Sequence, residues 1–131
     1  MRKIKIDYLS EELAYIITDE PNEIKIKPVE IMIVLDNRPF LRMSSFEYHG
    51  YDAVKETVKL VLMDLSNEKI VLKGISNFLM HFKVNEKYET SKIIDVFYTY
   101  RSLIMEKVNI YLGISYDSNL PLDYVKTTVL I

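Results

Sequence analysis

Residues 91–108 read SKIIDVFYTYRSLIMEKV, and two periodicities fit them. As a strand, Ile94, Val96, Tyr98 and Tyr100 alternate along one face. As a helix, Ile93, Val96, Phe97, Tyr100 and Ile104 share a stripe. The strand reading needs a hairpin, yet no Gly, Pro, Asn or Asp lies between Val96 and Val108 to make the turn. One unbroken strand of this length would far exceed the usual run of about five to six residues. Length therefore favours a helix near 91–106. The chain then reads as an α+β domain, a largely antiparallel sheet with two helices, near 52–65 and 91–106, packed on one face. A hairpin at 91–108 would give the alternative, an all-β sandwich or small barrel with one helix.

Downstream the pattern is simpler. Val108, Ile110, Leu112, Ile114 and Tyr116 alternate as a strand, Asp117 to Pro121 make a turn, and Val125, Val129 and Ile131 close on a last strand. The apolar end suggests a terminus paired in the sheet. Upstream, Val54, Val58, Val61, Leu62 and Leu65 recur at helical spacing, with Asp52 placed as N-cap and Ser66-Asn67 as the stop. Strands are expected at 69–73 and through Phe78, Met80, Phe82 and Val84. Others are expected at 31–35 and 40–48 as a hairpin, at 24–27 ahead of Pro28, and at the start through Ile4, Ile6 and Tyr8. Residues 13–18 fit a short strand and a helical turn equally. No linker or repeat divides residues 1–131, so a single globular domain is expected.

Composition narrows the function classes. Of 131 residues, 49% are apolar, and 17 basic against 19 acidic residues leave a formal charge of -2. Mean hydropathy is +0.02. The basic residues are scattered, which disfavours a phosphate-backbone partner. With no cysteine there is no disulfide, thiol nucleophile or thiolate metal site. The charges at Asp7, Glu11 and Glu12 interrupt the start of the chain, which does not read as a signal peptide. No charge-free run is long enough to span a bilayer. The expectation is a soluble, cytoplasmic protein.

Chemistry-bearing residues are sparse. The stretch from Ser44 to Asp52 gathers Glu47, His49 and Asp52, the candidates for a base and two acids. Each also has a plainer meaning: Glu47 lies on a strand, His49 in an exposed turn beside Gly50, and Asp52 at a helix cap. Gly50 there suits a positive φ. The second histidine, His81, alternates with Met80 and Phe82 and would face solvent or the space beneath a helix. No short ligand motif joins the two histidines, so no metal is expected, and no cofactor. The serines lie in no nucleophile elbow, and Gly50, Gly74 and Gly113 are too far apart to cradle a phosphate. Tyrosines crowd the last third, and Tyr98, Tyr100, Tyr111 and Tyr116 are the candidate interaction surface. Together these point to a small interaction protein that binds a protein partner or itself, leaning away from an enzyme. The alternative is a compact enzyme or small-ligand-binding protein with a pocket near residues 47–52.

Overall fold

The computed structural model describes residues 2–5, 22–24, 40–67, 77–104 and 109–130. Four longer strands dominate it: β3 (Phe40–His49), β4 (Asn77–Val84), β5 (Asn109–Tyr116) and β6 (Tyr124–Leu130). Two short ones, β1 (Arg2–Lys5) and β2 (Asn22–Ile24), lie at the edges. Among the described residues the sheet runs β1-β3-β6-β4-β5-β2 and stays open. Among the described pairs only β4–β5 is parallel. The described residues form two helices, α1 (Ala53–Asn67) and α2 (Thr90–Ile104). The expected α+β architecture is thus present, and residues 90–104 are one helix. That removes the sandwich and barrel alternative. The readings for 13–18, 31–35 and 69–73 lie outside the described residues.

Alternation along the strands builds two different faces. Phe82, Ile114, Val125 and Val129 meet the stripes of α1 (Val58, Val61, Leu65) and α2 (Ile93, Phe97) in one buried cluster. A polar pair lies inside this interface. Thr57 Oγ1 on α1 donates to the Val54 carbonyl at 2.9 Å and lies 2.7 Å from Thr127 Oγ1 on β6. A hydroxyl has one proton, so Thr127 must be the donor to Thr57. Ser44 on β3 donates to Asp64 of α1 at 2.6 Å. These side-chain bonds fix how α1 sits across β3 and β6, since each buried hydroxyl left alone would cost about 1–3 kcal/mol.

The opposite face carries Glu47 and His49 from β3, Tyr124, Lys126 and Thr128 from β6, His81 and Lys83 from β4, and Ser115 from β5. It too is covered at its centre: Leu79, His81, Ser115 and Thr128 are all at 0–1% exposure. His81 therefore faces neither solvent nor the two helices. It is enclosed on the far side of the sheet from them.

Connectivity places both helix starts at one end. β3 and β4 are each antiparallel to β6, so they run the same way. α1 follows the end of β3 and α2 follows the end of β4. The amino-terminal ends of both helices thus gather where these two strands finish.

Candidate functional site

At that end of the sheet lies a cleft of ≈ 210 Å³, lined by Gly50, Tyr51, Asp52, Lys87, Tyr88, Glu89, Lys92, Leu122 and Asp123. Three connections make its walls. The first joins β3 to α1. Gly50 holds a φ of 130° and Asp52 one of 54°, so two left-handed residues throw the chain out of the sheet and into the helix. The Gly50 amide donates to the Asp123 carbonyl at 3.2 Å, tying this wall to the loop before β6. Asp52 does precede the helix as expected, but its backbone is left-handed, and its carbonyl accepts the Glu56 amide at 3.0 Å.

The other two walls are joined by Asn85, which is 5% exposed. Its Nδ2 donates to the Leu120 carbonyl at 2.6 Å and the Ser118 carbonyl at 3.4 Å, while its Oδ1 accepts the Lys87 amide at 2.8 Å. One side chain therefore holds the β4–α2 connection against the β5–β6 connection. Tyr116 and Thr90 share a hydroxyl–hydroxyl bond that anchors the start of α2 on β5. Burial pushes the half-buried Tyr88 phenol above its ordinary pKa, so it stays protonated as a donor.

The cleft offers Lys87 and Lys92 and two helix amino termini, which favour negative charge. Asp52, Glu89 and Asp123 oppose this from the same walls. Its rim is apolar: Tyr51 is 90% exposed and Leu122 64%. The arrangement suits recognition of a mixed-charge group. Among the described residues no three His, Asp or Glu side chains converge as metal ligands would.

Of the candidates read from sequence, Asp52 lines the cleft while Glu47 and His49 do not. Those two share the opposite sheet face, beside β6. Glu47 Oε2 accepts the Tyr124 hydroxyl at 2.7 Å. The His49 ring packs edge-on to Tyr124 with centroids 5.0 Å apart, and its Nδ1 lies 4.0 Å from Asp123 Oδ1. Both side chains are more than half exposed, so the contact contributes little. The four tyrosines are dispersed. Tyr98 is exposed on α2, Tyr100 packs partly against the core, Tyr116 is buried on the helix side of β5, and Tyr111 lies on the other side of that strand. Asn85, Lys87, Tyr88, Leu122 and Asp123 were not singled out from sequence. The hint available was the polar, turn-forming composition of 85–91 and 117–123.

His81 Nε2 lies 2.7 Å from Ser115 Oγ, the spacing of a base and its serine nucleophile. Burial, with Lys83 and Lys126 nearby, pushes the imidazole pKa down to about 3. So weak a base takes no serine proton near neutral pH, and both side chains are enclosed. The pair ties β4 to β5.

No family model matches the sequence, and no curated protein matches it. Solved structures do. An FtsZ of M. jannaschii, described as an empty dimer, superposes with a TM-score of 0.71 at 21% identity, over 91% of this chain and 34% of that one. A mutant of the same protein gives 0.70 at 21% identity, over 91% and 35%. At this identity the likeness shows the fold, and the chain spans about a third of the FtsZ chains it resembles. The leaning away from an enzyme does not hold. It rested on missing local motifs alone, whereas the chain shares its fold with part of an FtsZ.

Proposed function

We propose that this chain is an association module that binds a second copy of itself. The observation that carries the reading is the likeness, over 91% of the chain, to part of an FtsZ described as a dimer. The tubulin/FtsZ superfamily as a whole binds nucleotides and self-assembles. The exposed Tyr51 supports it, aromatic side chains being enriched in contact surfaces. Sedimentation velocity over a wide concentration series tests it. The expected result is a weight-average sedimentation coefficient that climbs with concentration towards a dimer. A single monomer boundary throughout would refute it.

The cleft supports a second reading, a small-ligand site that takes the anionic part of such a mixed-charge group between Lys87, Lys92 and the two helix starts. Its volume suits a fragment the size of a phosphate-bearing moiety rather than a whole drug-sized molecule. A chemical-shift titration with inorganic phosphate is the check. Saturable movement of the Gly50–Asp52 and Lys87–Lys92 amides is the expected signature, and unmoved resonances would retire the idea.

A further inference from the structure

Among the described residues one edge of the sheet is left open in a regular way. The described part of β1 pairs with β3 from Phe40 to Met43, through Lys5, Ile4, Lys3 and Arg2. From Ser44 to His49, β3 has β6 on one side, and among the described residues no strand on the other. The register with β6 runs without a bulge over this stretch, and Glu47, Tyr48 and His49 are exposed. Open edges are usually blunted by charged side chains, proline or a bulge. Ser44–His49 has no proline, lysine or bulge, and Glu47 is its one carboxylate.

The hydrogen bonds set which backbone groups look outward. His49 stands opposite Tyr124, and the Gly50 amide bonds to the Asp123 carbonyl. That is the pattern around a non-hydrogen-bonded antiparallel pair, so His49 aims its own N–H and C=O away from β6. By alternation Glu47 and Ser45 do the same. Three residues in a row of odd positions therefore offer a donor and an acceptor each to the open side.

We infer that this edge is where a second copy adds, β3 pairing antiparallel with the β3 of that copy about a two-fold axis through the sheet. The inference rests on the self-association reading and gives it a surface. An axis normal to the sheet keeps the helix-facing residues on one side, so it must pass through a residue rather than between two. Centred on Phe46, it would set His49 against the second copy's Met43, a position whose edge Arg2 already fills. Centred on Glu47, it sets Ser45 opposite His49 and Glu47 opposite itself, and every outward amide and carbonyl finds a partner. The same register sets Phe46 opposite Tyr48 twice on the helix-facing side, an aromatic cross-strand pair in the closer, non-hydrogen-bonded position. The two Glu47 carboxylates meet at the axis. Each stands opposite Lys126 on β6, with Lys83 next in the same row.

The chain contains no cysteine, so a single introduced thiol reports one position. Thiols at position 47 of the two copies would have Cα atoms about 5.5 Å apart, inside the disulfide range of about 4.4–6.8 Å. Under mild oxidation Glu47→Cys is expected to form a covalent dimer, and Met63→Cys, on the exposed outer side of α1, is expected not to. Glu47→Pro removes an outward N–H without taking a bond from β6, a place where an edge strand tolerates proline. It should return the protein to monomer with its circular dichroism unchanged. A non-covalent dimer that fails to cross-link at position 47 would overturn the edge pairing while leaving self-association standing. A wild-type chain that stays monomeric would overturn both, and cross-linking alone decides if the proline variant does not fold.

Discussion

Phe82→Ala is expected to lower the free energy of unfolding by about 3–5 kcal/mol, seen as a fall in denaturant midpoint at unchanged slope. Phe82 is the largest fully buried side chain among those described, on a strand flanked by β6 and β5. Its ring belongs to the cluster that joins the sheet to both helices. Removing it deletes the transfer free energy of the ring and leaves a void between elements held by many other contacts, which cannot collapse far. A loss below about 1 kcal/mol, typical of a surface substitution, would mean that the helices do not pack on this face.

The second large effect is a pH dependence that belongs to His81. Enclosure in the far face of the sheet, with Lys83 and Lys126 nearby, holds its folded pKa at about 3, against 6.5 as its ordinary value. Below pH 6.5 the unfolded chain takes up a proton that the folded chain refuses. Stability is therefore complete above pH 6.5 and falls with a slope approaching about 1.4 kcal/mol per pH unit as acid is added, until the folded imidazole protonates near pH 3. The whole window corresponds to a loss on the order of 4–5 kcal/mol. His81→Gln keeps a polar group for Ser115 but cannot titrate. Denaturation of both proteins from pH 7 to pH 5, above most carboxylate titration, isolates the histidine. The wild type should lose stability relative to the variant, and parallel profiles would contradict this account.

What the sequence revealed follows from what is local. The stripe of Ile93, Phe97 and Tyr100 and the lack of a turn former after Val96 decided the helix at Thr90–Ile104. Alternation found β3 to β6, and the glycine between strand and helix announced the positive φ of Gly50. Strand order was not legible. The last strand sits between β3 and β4, contacts that alternation in one segment does not encode. The same limit applied to the site. Parity along β3 tells that Glu47 and His49 share a side, but the left-handed step at Gly50 and Asp52 carries Asp52 away from them to the end of the sheet. Asn85 looked like one more turn residue, and its hold on the Leu120 carbonyl spans 35 positions. For His81, alternation gave the correct strand face, yet whether that face is covered depends on what folds over it.

The central claim, that this FtsZ-like fold works by pairing with itself, is tested most directly by native mass spectrometry of the purified wild-type chain. The account predicts an ion series at twice the mass of the 15.5 kDa chain, growing with protein concentration. A spectrum that holds only the 15.5 kDa species at every concentration would contradict it.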